Sequence, residues 1–318
     1  MKSLFIFATC FFVVTIFCSW GFFAHKRINQ LAVFTLPPGL SRFCKANITY
    51  LTDHAVDPDK RRYADTSEAP RHFLDVELYE KNIDSIPRIW NDAVLKYGLK
   101  RLNKDGIVPW QIQKSYYKLV NAFKARDSIR ILIAAATIGH YIADAHVPLH
   151  TTENHNGQLS NQVGIHAFWE SRLPELFAKD YNFMVGKAIY IDNPLQEAWR
   201  IVTHTHTLLD TVLKFEALLN KKFSPAQKYS FSERNLQVTR QYSYAYSKAY
   251  QDIMEHMVER QMRSSILSVG SYWYSAWVDA GQPVLENIDR NKMSKEEKLT
   301  QENQERKYKE GKIIGREN

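Results

Sequence analysis

Two histidine–acid pairs stand close together in the chain: His140 and Asp144 in GHYIADAHVPLH, and His166 and Glu170 in IHAFWES. Residues four apart on a helix share a face one turn apart, so each pair can present an imidazole nitrogen and a carboxylate oxygen to one cation or to two adjacent ones. Pro148 ends the first of these helices, and His150 lies just past the break, where the chain can fold back over the same site. Bland alternatives exist for both pairs: a buried hydrogen-bonded contact for His140 and Asp144, and a helix-surface pair for His166 and Glu170. Upstream, RRYADTSEAPRHFLD sets His72 ahead of an amphipathic segment and fifteen residues after Asp57, itself one acidic residue among Asp53, Asp59 and Asp65. Cys10 and Cys18 fall in the apolar leader, which leaves Cys44 alone in the rest of the chain. A lone thiol makes neither an intramolecular disulfide nor a cysteine metal cluster, so any metal here takes nitrogen and oxygen ligands.

The elements that must position these residues read as helices. In HKRINQLAVFTLP, Ile28, Leu31, Ala32 and Phe34 recur at helical spacing, and the pattern stops at Pro37 and Pro38. Residues 52–72 are rich in Asp, Pro and charge and read as a functional loop. The run SIRILIAAATIGHYIADAHVP reads as a central helix, buried nearly all round, that ends near Pro148. Segments 195–222 and 232–280 lack internal prolines and carry apolar residues at three- and four-residue steps, Leu208, Leu209, Val212 and Leu213 among them. No stretch alternates long enough for a convincing strand, so the expected fold is all-α, a single multi-helix domain over 20–285. From residue 286 to 318 the chain mixes charges with almost no apolar content and reads as a solvated or disordered tail.

Residues 1–19, MKSLFIFATCFFVVTIFCS, combine Lys2 with an apolar run too short for a comfortable membrane span. They read as a signal peptide cleaved after Ser19, with an uncleaved anchor as the alternative, because Phe17 is bulky where a small residue is usual. The expected location is secreted, periplasmic or at the cell envelope. With 45% hydrophobic residues in 318 the chain can bury a sizeable core, and its net charge of +8 suits an anionic partner without choosing between nucleic acid, phospholipid and membrane surface.

In chain order, Trp20, His25, Asp57, His72, His140, Asp144, His150, His166 and Glu170 resemble the metal-binding set of the three-zinc superfamily of secreted single-strand-specific nucleases and bacterial zinc-dependent phospholipases C. The resemblance runs from Trp20 to about residue 170, with a looser likeness in the carboxy-terminal helices. It implies that Trp20 is the first mature residue, its amino group and carbonyl oxygen binding a zinc. It further implies one zinc on Asp57, His72, His140 and Asp144, a second on His150, His166 and Glu170, and a third on Trp20, His25 and the far oxygen of Asp144. Asp57 and Asp144 then stand at the centre of catalysis. Close zinc ions lower the pKa of a shared water and neutralise charge at phosphorus, so a phosphodiester is hydrolysed with no protein nucleophile. Asp75 is expected to support the site or face substrate, and Lys60, Arg61 and Arg62 to meet phosphate oxygens or to be a solvated charge run.

The step from Trp20 to His25, that from Asp57 to His72, and the HAFWES segment are similar to the nuclease branch. They imply a nuclease or nucleotidase that releases 5′-phosphorylated products from single-stranded RNA or DNA. Glu170, in place of the aspartate usual there, and the short loop TTENHNGQLSNQVGI depart from that branch, leaving Asn154, Asn156 or Asn161 to contact a base edge. A phospholipase C acting on phospholipid is the rival, and a zinc-binding envelope protein without turnover is the third possibility.

Overall fold

The computed structural model describes residues 22–234, 237–286 and 293–314. The apolar leader, its cleavage site and Trp20 therefore lie outside the described residues.

Helices α1 (Phe22–Ala32), α2 (Pro38–Ala46), α3 (Ile48–Asp53) and α4 (Asp57–Arg61) open the chain, and a single turn, α5 (Val76–Tyr79), follows. Next come α6 (Trp90–Asp105), α7 (Val108–Lys124) and α8 (Ser128–Ala145). The turn α9 (Ile165–Ala167) runs through a wide π-type turn, Phe168–Arg172, into α10 (Leu173–Phe177). Helices α11 (Pro194–Thr207), α12 (Leu209–Asn220) and α13 (Pro225–Lys228) lead to a hairpin of β1 (Tyr229–Arg234) and β2 (Gln237–Tyr242). Helices α14 (Tyr244–Ile253), α15 (Met257–Asp279) and α16 (Lys295–Glu310) complete the order. The architecture is all-helical apart from the hairpin.

Helix α8 is the axis. Asp127 caps it by accepting a hydrogen bond from the amide of Arg130 at 3.1 Å, and α7, α1, α15 and α3 surround it. Its alanines and Gly139 make room for that crowd. Asn29 of α1 reaches the carbonyls of Leu51 and Ala136 at 3.2 Å each, which places its side chain where a Cβ on Gly139 would stand. Trp273 of α15 closes the far side with an indole hydrogen bond to the carbonyl of Ala135 at 3.0 Å.

Two segments depart from the sequence-based expectation. The stretch expected to be helical from residue 232 begins in the hairpin, whose register pairs Tyr229 with Tyr242 and Phe231 with Arg240. Alternation there is only a few residues long and Phe231 and Val238 remain exposed, so the period-two signal is faint. The charged carboxy-terminal segment, expected as a solvated or disordered tail, is helical over Lys295–Glu310. Ser294 and Glu297 close a capping box at its start, and the helix lies along α4 with none of its own residues buried.

Candidate metal centre

Six elements deliver side chains to one point along α8. Helix α1 contributes His25, α4 contributes Asp59, and the 3₁₀ turn Ala69–Arg71 ends at His72. Helix α8 supplies His140 and Asp144 from successive turns of one face. Pro148 starts the 3₁₀ turn that carries His150 back over that face, and the Ile165–Phe177 segment adds His166 and Glu170. All are buried except Asp59, whose side chain keeps 20% of its surface exposed.

Asp144 joins the parts. Its Oδ2 lies 2.9 Å from His72 Nδ1 and 3.2 Å from His140 Nε2, while Oδ1 lies 3.3 Å from His25 Nε2 and 3.8 Å from His150 Nε2. Glu170 does the same on the other side, with Oε1 3.0 Å from His25 Nε2 and Oε2 2.8 Å from His166 Nε2 and 3.6 Å from His150 Nε2. Asp59 Oδ1 stands 3.7 Å from His140 Nε2 and 3.8 Å from His72 Nδ1. Three overlapping groups result: His25, His140 and Asp144; Asp59, His72 and His140; and His150, His166 and Glu170.

Outer partners aim the rings. His140 donates from Nδ1 to the carbonyl of Ala55 at 2.8 Å, and His166 Nδ1 does so to the carbonyl of His155 at 3.2 Å, leaving each Nε2 to face the cluster. His72 turns Nε2 towards Glu68, 3.5 Å away, and Glu68 is held in turn by Arg61, Arg71 and the hydroxyl of Tyr141. Sequence reasoning missed Glu68, although Glu68 and His72 stand four residues apart, the same step as the two histidine–acid pairs that were singled out.

Burial would push Asp144 and Glu170 towards the neutral acid, yet the imidazoles hold both well below the ordinary carboxylate range: His140, His150 and His72 for Asp144, and His150, His166 and His25 for Glu170. Burial also disfavours a charged His25, but Glu170 and Asp144 overcome it and lift that ring to about 9. His140 goes the other way, lowered by burial and by His25. Asp144 and Glu68 likewise outweigh burial at His72 and raise it, so the carboxylates draw positive charge onto His25 and His72 while His140 resists it. His72 Nδ1 and His140 Nε2 converge to 3.1 Å, and His150 Nε2 is sealed from solvent with no hydrogen bond. Cations bound between these groups would relieve both contacts. Five imidazoles, three carboxylates and no thiolate form a donor set that zinc accepts.

The expected residues mostly converge: His25, His72, His140, Asp144, His150, His166 and Glu170 are all in the cluster. Asp57 is not. Its Oδ2 lies 2.6 Å from His54 Nδ1 and its Oδ1 3.7 Å from Lys60, and Asp59 takes its place beside His72 and His140. The reason is helical phase: residues 57–61 are a turn of helix, and two residues along it reverse which side chain faces α8. Lys60 points outward to Glu305 at 3.1 Å, Arg61 is bound to Glu68, and Arg62 lies 3.7 Å from Asp59. Asp75 is buried, its amide bonded to the carbonyl of Asp105, and stands in none of the three groups. Asn154 spends its side chain within its own loop, accepting from the amide of Leu159 at 2.8 Å and donating to Ser160 at 2.9 Å.

An all-helical chain wrapped round a buried nest of nitrogen and oxygen donors belongs to the class of helical metalloproteins built on a polynuclear centre. Residues 24–233 match the family of zinc-dependent phospholipase C, and the chain belongs to that family. It is accordingly a zinc-dependent phosphodiesterase of the phospholipase C and nuclease superfamily. Among curated proteins, none matches the chain.

Proposed function

We propose that the chain is a phospholipase C-type enzyme that cleaves the phosphodiester of a phospholipid on its glycerol side. One observation carries this preference over a nuclease: in the loop between His150 and His166, two of the three asparagines expected to face a base are engaged within the loop. Asn154 bonds Leu159 and Ser160, and Asn156 accepts from the amide of Gly164 at 2.9 Å, so neither is free to read a base edge. Two further features agree with it. The family match is to phospholipase C, and the fifteen-residue step from Asp57 to His72 loses its weight once Asp59 faces the cluster. A nuclease remains the second reading, favoured by the net charge of +8.

In this reading Asp59, His72, His140 and Asp144 would hold one zinc, His150, His166 and Glu170 a second, and His25 with Asp144 a third, joined by residue 20 once processing after Ser19 had freed its amino group. Zinc so held supplies Lewis acidity at phosphorus and acidifies a water. The chain does the rest. Asp144 and Glu170 fix the spacing of the three groups, Ala55 and His155 lock the ring orientations, and Asp59, the most exposed donor, marks the side from which substrate arrives.

The test gives the purified chain phosphatidylcholine vesicles and single-stranded polynucleotide in parallel. Phosphocholine and diacylglycerol should appear from the vesicles, and a chelator should stop their release. Cleavage of polynucleotide alone would reject the lipid assignment. We also propose export, which amino-terminal sequencing of the mature protein tests, the expected first residue being Trp20.

A further inference from the structure

A cavity of about 830 Å³ opens between the α7–α8 face and α16, and none of the metal-group residues lines it. Its body wall carries Arg61, Arg71, Lys118 and Arg130, with Gln111 and Ser115 as neutral donors. Opposite them stand Glu296, Glu297 and Gln304 of α16.

The cations of that wall are unevenly paired. Arg61 and Arg71 share Glu68, at 3.2 and 2.5 Å, Arg71 also lies 3.7 Å from Asp65, Glu68 also faces His72, and Asp57 stands on the same wall. Arg130 is met loosely, 3.5 Å from Asp127 and 4.0 Å from Glu297. Lys118 makes no ion pair among the described residues. Burial lowers its pKa, and Lys114, Arg71 and Arg61 lower it further, which marks a place where positive potential accumulates without an anion. Two guanidinium forks and an ammonium facing one hollow suit a tetrahedral oxyanion, whose oxygens accept several charge-assisted hydrogen bonds at once.

We propose that this groove is a phosphate-binding site, separate from the metal centre, that takes a phosphate monoester or inorganic phosphate on Lys118, Arg71 and Arg130. On the opposite wall Glu297 of α16 comes no nearer than 4.0 Å to Arg130, so α16 leaves those cations without a tight partner of its own. The proposal is independent of which phosphodiester the metal centre cuts, because phospholipid and nucleic-acid cleavage alike can release a phosphate monoester.

The experiment is a calorimetric titration of the full, zinc-loaded chain with inorganic phosphate, phosphocholine and thymidine 5′-monophosphate in separate arms. A binding class should appear that Lys118→Gln weakens at least tenfold, that Lys118→Arg retains, and that Arg130→Gln weakens as a second, independently exposed position. Basal hydrolysis of a bis-aryl phosphodiester in phosphate-free buffer should be unchanged in Lys118→Gln. Equal affinity for the three probes assigns recognition to the phosphate alone, and a preference for one names its source. Phosphate binding by Lys118→Gln and Arg130→Gln that equals the parent's would overturn the proposal. So would a parallel loss of basal hydrolysis, which would place the bound phosphate on the metals.

Discussion

Asp144 and Asp59 differ in what they can lose. Both oxygens of Asp144 face imidazoles of different groups, so Asp144→Asn should remove at least one metal equivalent and lower phosphodiesterase activity by more than about a hundredfold, beyond the usual cost of changing a residue behind a ligand. Asp59→Asn should also release metal, whereas Asp57→Asn should retain the full complement, since its oxygens go to His54 and Lys60. Metal analysis after gel filtration decides, and the opposite pattern would return the ligand role to Asp57. The pairs His140–Asp144 and His166–Glu170 were legible in the sequence because a four-residue step translates directly into a shared helical face. The choice between Asp57 and Asp59 was not, because it depends on how a five-residue turn of helix is rotated against α8, which no local pattern encodes. Cys44 gives another residue-level outcome. Burial raises its thiol to about 12, so at pH 8 only about one molecule in ten thousand carries the reactive thiolate. Ellman's reagent should leave Cys44 unmodified in the native chain and react with it after denaturation, read by peptide mass mapping.

Among the elements, α1 and α8 approach closely enough for a single methyl group to matter. A Cβ at residue 139 would lie 2.1 Å from Asn29 Oδ1, and Asn29 cannot retreat without giving up its bonds to Leu51 and Ala136. Gly139→Ala should therefore destabilise the fold by about 1–3 kcal/mol despite its better helix propensity, read as a lowered urea midpoint. An unchanged midpoint would show that Asn29 is free to move. The central helix and its end at Pro148 were plain in the sequence, since a long Ala- and Ile-rich run before a proline admits few other readings. Helix α16 was obscured because its order comes from a capping box and from contacts made across the molecule: Lys60 with Glu305, Tyr63 against Tyr308, and the amide of Ile314 on the carbonyl of Arg62. Such contacts bury little apolar surface. Backbone amides of residues 295–310 should exchange with deuterium well before those of α8, by several orders of magnitude in mass-resolved peptides.

At the scale of the whole molecule, the metal centre sets a folding problem that no single helix solves. Donors arrive from α1, α4, the turn that ends at His72, α8, the turn at Pro148 and the Ile165–Phe177 segment, so a native cluster forms only when all six are packed. The unfolded chain has no such convergence, and ions that bind the native state alone stabilise it by mass action. Free zinc at about a thousand times its dissociation constant would contribute about 4 kcal/mol, which in a chain of this size corresponds to a melting shift of roughly 5–15 °C. Thermal melts followed by circular dichroism should fall by that amount on chelation and recover on adding zinc, with magnesium ineffective because most of the donors are imidazole nitrogens. The carboxylates give the reason to expect a large effect: Asp144 and Glu170 are 1% and 7% exposed, and without cations their charge rests on buried imidazoles alone, with His25 and His72 raised to meet it and His140 lowered. A chain that melts at the same temperature with and without zinc would mean that protonated histidines suffice to hold those two carboxylates in place, and that the centre contributes chemistry without contributing to the fold.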